Sequence, residues 1–155
     1  MIDLTDIRIH VGDFSGSGAS TIRRTRRLGN KHETVPITIM YALNFYTDLY
    51  EEVLRNGRKS ATIRLGDKGD KYQPGQLCWV TVGQRYGRRQ KLFTAIVDSV
   101  DVKLVADLSP RDISKENPEF RTRDEVLQLL RRIYGPEVSL EDTVTVVYFS
   151  PVSEY

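Results

Sequence analysis

The chain has 155 residues, with 23 basic and 21 acidic side chains and a formal net charge of +2. At 39% hydrophobic and 28% charged it is too apolar for a disordered chain, and its length suits one domain with a sizeable core. No apolar run approaches the roughly 20 residues of a membrane helix, the lone Cys78 cannot build a disulfide framework, and one Cys with two distant histidines, His10 and His32, argues against a metal site.

The opening MIDLTDIRIHVGDF lacks the basic start and apolar stretch of a signal peptide, so the expected setting is the reducing cytoplasm. Next comes GDFSGSGAS, then a basic run with Arg23, Arg24, Arg26, Arg27 and Lys31 and no acid between them. This composition predicts a flexible, basic N-terminal extension over residues 1–34 and an ordered domain over 35–155.

Ile37, Ile39 and Tyr41 alternate with Thr38 and Met40 as a short strand does. Tyr46, Leu49, Tyr50, Val53 and Leu54 fall at helical spacing, and Asn56-Gly57 supplies the stop. Tyr46 and Tyr50, four apart, are expected to cover the core. A strand follows over Ser60 to Arg64, and Pro74-Gly75 marks a turn. LCWVTVG predicts a strand with Cys78 and Trp79 in the core, RYGRRQ a basic turn, and KLFTAIVDSVDVKLV a long strand bent near Asp98-Ser99. Ser109-Pro110 fits the start of one helical turn. Thr122 and Glu125 form a capping box ahead of a helix ending at Gly135-Pro136, and TVTVVYF is a closing strand. The whole predicts an α+β fold: a small β-barrel of five or six mostly antiparallel strands with two main packed helices. No Gly-rich phosphate loop follows a strand, which argues against a doubly wound nucleotide-binding fold.

The chemistry concentrates in Asn56 to Arg64. On a strand, Thr62 and Arg64 share one face and Ala61 and Ile63 the other, while Lys59 sits in the turn before them. An amine, a hydroxyl and a guanidinium can converge there, or line a solvent-facing strand edge. Arg85, Tyr86, Arg88, Arg89 and Lys91 place cations around an aromatic, suited to phosphates and a stacked base.

GRKSATIR resembles the G-x-K-x-x-T-x-R signature of the ASCH domain, a relative of the PUA RNA-binding fold. The likeness runs from about Ile37 to Val152 and includes the helix FYTDLYEEVLRNG, DLSPRDISKEN and EVLQLLRRIYG. It implies a PUA-like barrel, and RNA or a modified nucleoside as partner. Within that superfamily the motif is similar to that of N4-acetylcytidine amidohydrolases, with Ser60 where those enzymes carry a threonine. That similarity implies a metal-independent site without a cofactor, with Lys59, Thr62 and Glu116 as catalytic residues. Glu119 competes for the place of Glu116. Arg58 and Arg64 would hold substrate or RNA, as would the cations of the 85–91 turn. In this chemistry Thr62 attacks the acetyl carbonyl, Lys59 takes its proton as a neutral amine, and Glu116 positions the lysine or passes a proton to the leaving nitrogen. The alternatives are an RNA-binding module without chemistry and a ribonuclease of the same superfamily. The sequence leaves oligomeric state open.

Overall fold

In the computed structural model, residues 21–28, 31–38, 41–84 and 86–153 are described. Two strands, β1 (Thr21–Leu28) and β2 (Lys31–Thr38), come first, followed by β3 (Tyr41–Tyr46) and helix α1 (Thr47–Arg55). Then come β4 (Ala61–Leu65), β5 (Leu77–Gly83) and the 16-residue β6 (Arg89–Leu104). A 3-10 turn (Val105–Asp107), α2 (Pro110–Glu116), α3 (Arg123–Tyr134) and β7 (Thr143–Val152) complete the chain.

Five strands form one sheet in the order β3-β5-β6-β7-β4. Only β3 with β5 is parallel; the other neighbours are antiparallel. The sheet curls into a half-barrel whose outer strands, β3 and β4, share no backbone ladder. The side chain of Arg64 spans the gap instead, with Nη2 donating to the Asn44 carbonyl at 3.0 Å. This is the expected α+β small barrel, with three helices rather than two. The third is α2, which extends the turn expected at Ser109-Pro110 because Ser109 and Asp112 form a second capping box. The Thr122–Glu125 box starts α3 as the sequence predicts. The bend in β6 is a bulge: Val97 faces Phe149, Ser99 faces Tyr148, and Asp98 is the extra residue.

The hydrophobic core has two parts. Leu54 of α1 packs with Leu43, Phe45, Val80, Val82 and Phe149 of the sheet. Ile63, Leu108, Ile113, Val126, Leu130 and Val144 pack between α2, α3 and the β4–β7 pair. Phe120, between α2 and α3, touches both.

Within the basic N-terminal segment, where the sequence suggested no regular element, β1 and β2 pair antiparallel, with Leu28 opposite Lys31 and Thr21 opposite Thr38, as a separate two-stranded sheet. The β-branched residues Thr21, Ile22, Thr25, Thr34, Val35 and Ile37 favour strands, and their signal was masked by the arginines among them. The 34/35 boundary therefore falls inside β2. Ile39 and Met40, read as strand, and the Gly/Ser-rich segment lie outside the described residues. Trp79 is not core but 44% exposed, because Cys78 and Val80 occupy the inner face of β5 and alternation turns Trp79 outward.

Candidate functional site

Helix α1 stops at Asn56, and Gly57 follows with φ 75°, a left-handed conformation that disfavours any residue with a Cβ. The reversal carries Lys59 back under the helix, where its backbone N–H donates to Val53 O at 2.9 Å. Its side chain is fully buried. The amine Nζ donates to Ala61 O at 2.8 Å and to Glu116 O at 2.6 Å, and lies 2.9 Å from Glu116 Oε1. The rings of Tyr50 and Phe45 flank it at 4.3 and 5.1 Å.

Glu116, the last residue of α2, is 3% exposed. Its Oε2 accepts from the Ile63 amide at 2.7 Å and its Oε1 from the Tyr50 hydroxyl at 2.6 Å. Within the five-stranded sheet β4 pairs only with β7, so the Ala61 carbonyl and Ile63 amide lie on its unpaired edge. Lys59 and Glu116 supply the donor and acceptor that a neighbouring strand would otherwise provide.

Burial is the main influence on both titrating partners of Glu116. It lowers the Lys59 amine to about 8, against the opposing pull of Glu116. It also pushes the Tyr50 hydroxyl well up, reinforced by the Glu116 charge, so Tyr50 stays a donor. α2 is pinned in turn through Asp112, which accepts from Tyr148 Oη at 2.7 Å, the Ser109 amide at 2.9 Å and Lys103 Nζ at 3.1 Å. Burial works against the Asp112 charge, but these bonds outweigh it and hold the carboxyl below its usual range.

The Lys59 value fixes the sign of a pH effect. The unfolded lysine titrates near 10.5 and the folded one near 8, so between those values the folded chain holds fewer protons. Stability contributed by Lys59 is therefore weakest below pH 8 and grows as pH rises towards 10.5. The gap in unfolding free energy between wild type and Lys59→Met should widen by on the order of 2 kcal/mol between about pH 8 and 10. Urea unfolding at stepped pH measures it, and a gap that narrows contradicts the assigned direction.

Lys59 and Glu116, expected to meet, are in direct contact. Glu119 is not the buried carboxylate: it is 76% exposed and lies 3.5 Å from Arg58. Thr62 is 3% exposed, and its hydroxyl accepts from Arg64 Nε at 3.0 Å rather than pairing with Lys59. Arg64 is occupied by Thr62, Asn44 O and, at 5.2 Å, the Phe45 ring. Beside it Thr81 donates to Asn44 Oδ1. The residue that sequence reasoning missed is Tyr50. Its spacing from Tyr46 announced a helix face, but its partner lies 66 residues away.

At the β5–β6 turn, Tyr86 is 92% exposed, Arg88, Arg89 and Lys91 are exposed, and Lys91 Nζ sits 5.6 Å from the Trp79 ring centre. Arg85 lies outside the described residues. Glu51, Gln84, Arg88 and Gln90 line a cavity of about 280 Å³ beside the turn. Among the described residues no three His, Cys, Asp or Glu side chains gather as a metal site, and no helix is long and apolar enough to cross a membrane.

No family model matches the chain, and no curated protein is similar to it. Solved structures are. One is protein EF3133 from Enterococcus faecalis V583, of the DUF984 family model, at 18% identity and a TM-score of 0.56, over 74% of this chain and 81% of that one. Another is an ASCH domain from Lactobacillus crispatus JV V101, at 17% identity and a TM-score of 0.55, over 74% of this chain and 80% of that one. The half-barrel, its three helices and this likeness lead to one statement: the chain has the fold of an ASCH domain.

Proposed function

We propose that the protein is an RNA-binding domain in which the Lys59–Glu116–Tyr50 cluster is framework rather than catalyst. The half-barrel forms the domain, and the basic segment ahead of it forms an accessory arm. The observation that carries this reading is the state of Lys59. Its amine is buried and directed at three acceptors, so in this arrangement it offers no lone pair to a hydroxyl. What neighbouring elements turn outward is cations and aromatics: Arg88, Arg89, Lys91, Tyr86 and Trp79. That set suits a single strand, with phosphates on the cations and bases against the rings.

The test is fluorescence anisotropy of a labelled single-stranded RNA across salt. The three contacts of Arg88, Arg89 and Lys91 should by themselves contribute on the order of 20-fold to the loss of affinity between about 0.05 and 0.2 M salt. The triple variant R88Q/R89Q/K91Q should flatten that slope. Binding that is absent, or indifferent to salt, removes the reading.

One observation favours hydrolysis instead. An amine lowered to about 8 is neutral in roughly a tenth of molecules at pH 7, and Thr62 lies three residues on. In that reading Thr62 Oγ bonds to the acetyl carbon, Lys59 takes the hydroxyl proton, cytosine N4 leaves with a proton, and water then releases acetate from Thr62. Incubation with N4-acetylcytidine, with strand cleavage of RNA followed in parallel, decides. Acetate release abolished by Thr62→Ala establishes the amidohydrolase, and cleaved RNA a ribonuclease.

A further inference from the structure

We propose that the cleft between α2 and the segment joining it to α3 holds the phosphodiester backbone of single-stranded RNA, an inference that rests on the RNA-binding reading above. Arg58, Arg111, Lys115 and Arg121 line this cleft of about 660 Å³ together with Pro118 and Phe120. Arg111 and Lys115 are four apart on α2 and share a face, while Asp112, Ile113 and Glu116 turn inward. Arg58 arrives from the turn after α1, and Arg121 from the stretch before α3. Three separately anchored stretches of backbone thus deliver cations to one depression, against their mutual repulsion.

The cations are also held in place. Arg121 Nη1 donates to Pro118 O at 2.6 Å and to Phe120 O at 2.8 Å. The Arg111 guanidinium lies 4.9 Å from the Tyr148 ring centre. The nearby acid, Glu119, is exposed and only 3.5 Å from Arg58, a surface pair of little strength that a phosphate can displace. Phe120, wedged between both halves of the core, adds an aromatic wall against which a base can lie. Guanidinium forks with an aromatic wall match a nucleotide strand: the phosphates meet the forks and the bases meet the ring.

The experiment uses the full chain and a fluorescein-labelled single-stranded RNA of about 12 nucleotides. Arg111 and Lys115 are exposed, and glutamine keeps helix propensity, so R111Q/K115Q should fold. Losing two phosphate contacts should weaken binding on the order of 20-fold near 0.1 M salt and lower the slope of log affinity against log salt by about 1.4. Lys115→Gln alone should lose about 5-fold, which serves if the double variant misfolds. If wild type binds and both variants stay within twofold, the cleft is not the site, while the RNA-binding reading stands. If wild type shows no salt-dependent binding, both fall. Displacement of the RNA by polyglutamate at matched charge makes the cleft an acidic-peptide site and overturns the proposal.

Discussion

Replacing Lys59 by methionine should cost about 3–5 kcal/mol, a large share of the roughly 5–15 kcal/mol that holds such a domain together. The volume is nearly conserved, so the loss comes from what stays behind. The Glu116 carboxylate keeps its bonds to Tyr50 and Ile63 but loses the counter-charge of Lys59. The carbonyls of Ala61 and Glu116 lose the amine that served both. Buried acceptors without a donor are more costly than the bonds themselves are favourable. The double variant Lys59→Met/Glu116→Gln should regain part of the loss, because no unpaired charge remains. Glu119→Gln, on an exposed carboxylate, should change stability by less than about 0.5 kcal/mol. Urea unfolding of the three variants measures this. A Lys59→Met loss under about 1 kcal/mol would mean that the cluster does not brace the half-barrel.

The second large effect lies in the basic hairpin. Successive residues of a strand face opposite sides, so Arg24 and Arg26 share one face of β1 and Arg23 and Arg27 the other. An RNA strand that follows this alternation is expected to engage one pair of arginines rather than all four. Of the variants R24Q/R26Q and R23Q/R27Q, one should therefore weaken RNA binding on the order of 20-fold near 0.1 M salt, and the other far less. A flexible arm makes the opposite prediction: any two arginines are equivalent, and both variants lose affinity alike. Salt titrations of the two variants separate the hairpin from the tether that the composition suggested.

Elements with local causes were readable from the sequence. The α3 start needs only Thr122 and Glu125, and the α1 stop only Asn56-Gly57. The bend in β6 was visible because Asp98-Ser99 interrupts an apolar run. Trp79 was misplaced because alternation sets which residues share a face, not which face is inward. That choice is made by neighbours such as Leu43, Ala95 and Phe93, which come from other strands. In the site, the turn cation and the strand hydroxyl were legible as a motif, and Glu116 through resemblance. Their pairing was only half legible. Thr62 meets Arg64 two residues along its own face, a contact that the alternation implied. Lys59 passes below the strand edge to backbone groups of Ala61 and Glu116, and side-chain identities do not announce backbone partners. Tyr50 was hidden for the same reason, since nothing near it in sequence marks its bond to Glu116.

The order of the strands bears on how the molecule is made. β4 pairs with β7, setting Ala61 against Tyr148 and Leu65 against Val144. During synthesis the early part of the half-barrel leaves the ribosome long before its partner strand exists. Closing so wide a loop has an entropic cost that no local contact offsets, and topologies of this kind fold in milliseconds to seconds rather than microseconds. Until the last strand arrives, β4 lacks that neighbour and Ile63 and Val146 cannot share their core. A nascent chain halted before Thr143 is therefore a candidate for chaperone capture, and maturation of the whole half-barrel waits on its final strand.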